Sequence, residues 1–243
     1  MTQVRPPFDI IFEDEDLLVI NKPAGLVCHP TKGDEWSSLI GRTRIYLGAE
    51  RMAHLINRLD RETSGVVLAA KNPAAAGKLG KLWESRAVEK EYLAVVHGAV
   101  QPNEGRIELP LGKDEKSLIA VKNCVREGGA AAVTEFQVKR RFSRAGEDFT
   151  LLQIIPQTGR KHQIRIHLAA IRHPIVGDKL YGGDEDIYLA LAQNRLTAAH
   201  SKTLILTNQA LHSRLLRFAW NGVSRAFEAA PGREFSEFIT DSA

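Results

Sequence analysis

The chain has 243 residues, 44% hydrophobic and 26% charged, a balance that excludes a disordered or fibrous protein and suits one large domain or two small ones closely joined. No run approaches about 20 uninterrupted apolar residues, which excludes a membrane-spanning helix. Two cysteines, Cys28 and Cys124, are too few for a disulfide scaffold or a four-thiolate zinc site. With no apolar signal segment behind Arg5, a cytoplasmic location is the expectation.

In chain order, Leu17 to Ile20 reads as a short strand stopped by the turn Asn21-Lys22-Pro23, and Gly25 and Pro30 keep the next stretch irregular. Val66 to Ala70 is a second apolar run of strand length. Asn72 and Pro73 then suit the cap and first turn of a helix that buries Ala75, Leu79, Leu82 and Trp83 and leaves Lys78 and Lys81 in water. Tyr92 to Val96, Val133–Val138, Phe149–Ile155 and Leu204–Leu206 are expected strands. Thr158 is the expected cap of a helix whose buried stripe is Ile164, Leu168 and Ile171. Glu234 to Ile239 fits a short helix or a tail strand. No motif falls between Gly183 and Ala199, a candidate substrate-facing insertion. Strands and helices without a regular βαβ rhythm predict an α+β fold.

The formal charge of +4 says little, but its distribution says more. Lys139, Arg140, Arg141 and Arg144 form one basic cluster, Arg160, Lys161, Arg165 and Arg172 a second, and Arg214, Arg217 and Arg225 a third. Gathered on one face, they would suit a phosphate backbone; scattered, they are solvated surface charge.

Two segments carry candidate chemistry. In His54 to Gly65 a dense polar turn precedes the apolar run: Asp60 lies between Arg58 and Arg61, Thr63 and Ser64 can shape the turn, and Gly65 allows close backbone approach. On local chemistry alone this is as readily a surface turn with a solvated aspartate. Gln157 to Leu168 crowds two histidines, three basic residues and two amides together. His162 and His167 stand five apart, the wrong interval for a helical zinc pair, and no metal site is expected. Amide donors at the helix start with Arg160 and Lys161 suit an anion such as RNA phosphate, and Arg165 calls for a carboxylate partner. Tyr92 is a core residue by default, or a base-stacking platform if it borders a cleft. There is neither a glycine-rich phosphate loop nor a Gly-x-Ser-x-Gly elbow.

These segments, in order, resemble the RluA-type family of pseudouridine synthases. Arg58-Leu59-Asp60-Arg61-Glu62-Thr63-Ser64-Gly65 is similar to its catalytic segment, and Lys90 to Val96 to its tyrosine strand. Thr158 to Leu168 followed by Pro174 to Gly182 is similar to its arginine segment, and Asn21-Lys22-Pro23-Ala24-Gly25-Leu26 to its opening motif. The resemblance implies a mixed, mainly antiparallel, curved central sheet in two halves flanked by helices, with a central cleft. It implies a catalytic domain over residues 9–243 after an extension at 1–8, with no separate N-terminal RNA-binding domain. It implies Asp60 as nucleophile, Arg165 as its ion-pair partner, Tyr92 against the target base, Arg58 entering the space of a flipped nucleotide, and Leu216 as an apolar pocket wall. The family usually has His where this chain has Asn57, which predicts altered local contacts rather than lost activity.

Pseudouridine formation is an isomerisation, so the resemblance implies no cofactor. The partner it implies is structured RNA, ribosomal or transfer; a monomer is expected because one cleft can contain the full catalytic set, and no membrane partner because no apolar run is long enough to span one. Two other functions compete: an RNA-binding protein without catalysis on the same scaffold, and a hydrolase of a small substrate using Asp60 as base. Proton release from C5-labelled uridine separates the first from an enzyme, and salt-sensitive RNA binding separates the second.

Overall fold

The computed structural model describes residues 8–30, 37–48 and 52–240. Nearly all of the expected extension at 1–8 lies outside the described residues. The elements are β1 (Asp9–Glu13), β2 (Leu17–Lys22), α1 (Leu39–Leu47), β3 (His54–Leu55), β4 (Ser64–Ala70) and α2 (Pro73–Glu84). There follow β5 (Glu89–His97), β6 (Glu104–Glu108), β7 (Leu111–Lys113), β8 (Asn123–Val125), β9 (Val133–Arg144) and β10 (Glu147–Pro156). The last part holds α3 (Gln163–Ala170), α4 (Glu185–Ala192), α5 (Ala198–Leu204), β11 (Leu211–Trp220), β12 (Val223–Glu228) and α6 (Arg233–Thr240). The fold is α+β with mainly antiparallel strand pairing, as the sequence predicts. Two compact units share the chain, one of residues 1–90 and 212–232, the other of 91–211 and 233–243.

In the first unit β4 is the central strand. It pairs antiparallel with β2 along its whole length, from Leu17 opposite Ala70 to Lys22 opposite Gly65. Both Leu17–Ile20 and Val66–Ala70 are fully buried, which is why they read as unbroken apolar runs rather than alternating ones. On its other edge β4 meets β3 at one end and, in parallel, β11 at the other, where His212 faces Ser64 and Ser213 faces Gly65. Asn72 caps α2 by accepting from Ala75 N–H at 2.8 Å; of the four residues expected inside, Ala75 and Leu79 are buried, while Leu82 and Trp83 are half-buried against the same core. The core joins Leu17, Val66, Leu68, Leu79, Leu216 and Phe218.

In the second unit β5, β10, β9 and β6 form an antiparallel series. Its core gathers Val95, Leu152, Ile154, Leu168 and Phe238 around Phe149, whose ring lies 5.1 Å from that of Phe238. Residues 233–240 are a helix, α6, because Phe235 and Phe238 both turn inward at three-residue spacing.

One expected strand is overturned, and two stretches left without elements gain them. Leu204–Leu206 is not a strand: α5 ends at Leu204, and Ile205 takes a left-handed φ of +66° that breaks the extended backbone. The neighbouring strand is β11, hidden in the sequence because Arg214 and Arg217 interrupt its apolar pattern while His212 and Ser213 are buried. The unassigned stretch after Gly183 holds α4, capped by Asp184, and the start of α5, capped by Thr197. No helix among the described residues is long and apolar enough to cross a membrane.

Candidate active site

Asp60 sits half-buried in a tight turn before β4, where Thr63 N–H donates to the Asp60 carbonyl at 3.2 Å. Its neighbours are anchored on every side. Asn57 uses both ends of its amide on β4, donating to Val66 O at 3.1 Å and accepting from Leu68 N–H at 2.8 Å. Leu59 is buried, with its N–H and carbonyl both on the Cys28 thiol at 3.4 Å. Ser64 Oγ lies 2.9 Å from His212 Nδ1, and His212 Nε2 lies 2.9 Å from Ala229 O. A carbonyl only accepts, so Nε2 carries the proton and Ser64 donates to Nδ1. Burial holds the His212 imidazole below its usual pKa, and therefore neutral, which keeps this arrangement near pH 7.

Gly65 is where β4 and β11 touch. Its φ is +111°, and a Cβ there would stand 2.1 Å from Ser213 O. Only glycine permits that conformation and that approach together.

Sequence reasoning placed Lys22 in a turn and in the opening motif, without a role in the site. The structure buries it completely, with Nζ donating to Pro23 O and Leu26 O at 2.8 Å and to Arg61 O at 3.1 Å. Its ammonium thus ties the loop after β2 to the residue following Asp60. Gly25 N–H on Arg61 O at 2.8 Å, and Arg61 Nε on Gly25 O at 3.2 Å, complete the clasp. Burial pushes the Lys22 pKa down to about 8, while the charges of Cys28 and Asp60 pull it upward. The signal available in the sequence was the Asn21-Lys22-Pro23 turn, which marks the place without showing that Lys22 folds inward. Arg58 is exposed beside the turn. Leu216 has no exposed surface and belongs to the core of this unit.

In the second unit Tyr92 is half-buried on β5 opposite Ile154, packed against the core. Arg165, on α3, is buried. Its Nε donates to Asp178 Oδ2 at 2.7 Å and its NH2 to Asp178 Oδ1 at 2.8 Å, a bidentate pair. Removing one partner of such a buried pair costs about 3–5 kcal/mol. Burial disfavours the Asp178 carboxylate, but Arg165 beside it, with the Tyr181 and Leu180 amides, holds it below the usual carboxylate range. Sequence reasoning expected a carboxylate for Arg165, named Asp60 for it through the resemblance, and did not name Asp178. The Gly177-Asp178 pair in the arginine segment was the available signal.

Thr158 does not cap α3. The helix begins only at Gln163, after a turn in which His162 takes φ +57°, and Thr158 Oγ1 instead joins Val133 N–H to Gln163 Oε1. Gln163 Oε1 reaches back to Arg160 N–H, leaving the Arg160 and Lys161 side chains exposed. Arg160 Nε donates to Ala131 O at 3.2 Å. His167 has its ring between Thr134 Oγ1 and Leu109 O.

Several of the clustered cations maintain the fold. Arg141 donates to Val100 O, Gln101 O and Asn103 Oδ1, and Arg144 donates to Phe238 O and covers its ring at 5.0 Å. Arg217 pairs with Glu89 and Arg214 with Glu228. Of those clusters Lys139, Arg140, Arg160, Lys161 and Arg172 are exposed, as is Arg58.

An anchored carboxylate turn after a buried lysine, a β-strand tyrosine and a helix arginine occur here on an α+β frame of mainly antiparallel strands. The chain belongs to the RNA pseudouridylate synthase family, whose model matches residues 16–170, and within it to the RluA type of isomerase. It is 34% identical to an uncharacterised RNA pseudouridine synthase of Bacillus subtilis over 95% of this chain and 71% of that protein. With ribosomal large subunit pseudouridine synthase D of Xylella fastidiosa it shares 38% identity over 87% of this chain and 62% of that one. With the dual-specificity RNA pseudouridine synthase RluA of Vibrio cholerae it shares 37%, over 78% and 76%. The chain thus spans about 62 to 76% of these relatives. The solved structure of human RNA pseudouridylate synthase domain containing 4 superposes with a TM-score of 0.71 at 27% identity, over 95% of this chain and 91% of that one.

Proposed function

We propose that this chain isomerises a specific uridine to pseudouridine in structured ribosomal or transfer RNA, with Asp60 as nucleophile on a flipped-out uridine. The N1–C1′ bond breaks, the base turns, C5 joins C1′, the C5 proton leaves and N1 gains one, so the atoms balance without an added reactant. The target base must leave the stack before a carboxylate reaches it. Exposed Arg58 enters the vacated space, Tyr92 lies against the base, and Arg165 is the ion-pair partner that orients Asp60. Arg160 and Lys161 contact phosphate, and Leu216 shapes the pocket from beneath. The protein works in the cytoplasm as a monomer.

The observation that carries this reading is the Asp60 turn itself. A solvated surface aspartate does not need Lys22, Cys28, Asn57 and the Ser64–His212 pair fixing the backbone around it. A nucleophile that must meet one atom does. The names of the Xylella and Vibrio relatives support an RNA substrate. The test is tritium release from C5-labelled RNA together with pseudouridine mapping of total RNA with and without the gene. One or more sites should vanish with the gene, and Asp60→Asn should lose at least about 10³-fold in rate while still binding RNA. Substantial residual isomerisation by pure, folded Asp60→Asn would refute the assignment.

A further inference from the structure

We infer that Asp178 is a positioning residue for Arg165, its buried carboxylate fixing the plane and direction of the guanidinium. The inference rests on the catalytic role given to Arg165 above. A guanidinium has five N–H donors in a rigid fork. Asp178 takes two of them, at 2.7 and 2.8 Å, which sets both position and plane.

Asp178 is itself immobilised. Its side chain has no exposed surface, and Oδ1 also accepts from Leu180 N–H at 2.9 Å and Tyr181 N–H at 3.0 Å. The turn that carries it closes with Gly182 N–H on Asp178 O at 3.0 Å, so tightly that a Cβ on Gly182 would lie 2.3 Å from that oxygen. Tyr181, from the same turn, places its ring 5.0 Å from the guanidinium. Its hydroxyl is held by His162 Nδ1 at 2.9 Å and accepts from Asn123 N–H at 3.2 Å. Carboxylate and ring thus constrain the same cation, and the ring is tied to the loop that presents Arg160 and Lys161.

A purely structural account does not explain this choice. Apolar residues of similar volume commonly stabilise as well as a buried ion pair or better. What the pair supplies is a fixed cation whose charge is already balanced. Arg165 then acts through the direction of its guanidinium more than through net charge, and that direction is what Asp178 controls.

The experiment compares wild type, Asp178→Asn, Asp178→Glu and Arg165→Ala in tritium release, using C5-tritiated total RNA from a strain lacking the gene. Folding is followed by circular dichroism. Asn keeps the volume but loses the charge and one acceptor, so the rate at saturating RNA should fall about 100-fold while the half-saturating RNA concentration stays within about threefold. Glu keeps the charge and shifts the guanidinium, so it should recover part of the loss, to about tenfold below wild type. An Asn variant within threefold of wild type, or one weakened only in RNA affinity, overturns the inference. If the Asn variant does not fold, the Glu variant decides: wild-type turnover overturns the inference and a tenfold loss supports it. Full turnover by Arg165→Ala would defeat the role given to Arg165. A low rate there with normal Asp178→Asn would defeat this inference alone.

Discussion

The Asp60 turn and the Arg165 helix hold one charged group each by opposite means. Around Asp60 the anchors fall on neighbouring residues, two through backbone and two through side chains: Leu59 on Cys28 and Arg61 O on Lys22, Asn57 on β4 and Ser64 on His212. Arg165 is gripped by its own guanidinium, through a buried carboxylate. On the proposed reading the two arrangements serve one end: the anchored turn fixes where the Asp60 carboxylate stands, and the Asp178 carboxylate fixes the plane of the Arg165 guanidinium.

The sharpest way to break this contrast is at Gly65. If the turn is fixed through backbone, a side chain at the β4–β11 contact must be far more damaging than its size suggests. Gly65→Ala meets both a φ of +111° and a Cβ 2.1 Å from Ser213 O, and should cost about 3 kcal/mol or more. Denaturant unfolding checks it, and a loss under about 1 kcal/mol would show that the strands part easily there.

How much of this was legible beforehand differs between the regions for the same reason. The strand cores and α2 were readable because Leu17–Ile20 and Val66–Ala70 are unbroken apolar runs and Asn72-Pro73 is a local capping signal. Gly65 was marked for close approach because glycine before a strand has few other uses. Asp178 and the inward fold of Lys22 were not readable, since each depends on partners that only folding brings near: Arg165 lies 13 positions from Asp178, and Arg61 39 from Lys22. β11 was missed because half-buried Arg214 and exposed Arg217 obscured a strand whose His212 and Ser213 are buried. Thr158 looked like a cap because helix starts are recognised by residue type, whereas here a left-handed His162 and the Gln163 amide set the start.

Lys22 sharpens the contrast through pH. Its folded pKa of about 8 lies below the ordinary 10.5, so above pH 8 the folded ammonium loses its proton before the unfolded one does. Between about 8 and 10.5 the unfolded chain binds more protons, and this group's contribution to stability rises with pH. Activity should go the other way, because the neutral amine no longer supplies three donors or a charge beside Asp60. Turnover should therefore decline through pH 8 while this group does not lower the melting temperature. Lys22→Met should cut the rate about tenfold and remove that decline. A rate profile for Lys22→Met with the same alkaline limb as wild type would assign the limb to another group.

The smallest effect is expected at Asn57, where the family usually has histidine. The amide both donates to Val66 O and accepts from Leu68 N–H, two bonds to alternate residues of one strand. A neutral imidazole also offers one donor and one acceptor, but on nitrogens of a rigid ring, so Asn57→His should preserve one bond and shift the other. The turn has independent anchors at Leu59, Arg61 and Ser64, which should limit the change in turnover to about threefold and in stability to about 1 kcal/mol. Asn57→Ala removes both bonds and leaves the Leu68 amide unpaired, so it should cost more, about 1–3 kcal/mol. If histidine proves as damaging as alanine, the turn depends on the amide's geometry at this one position, and its anchoring is less distributed than the contrast with Arg165 implies.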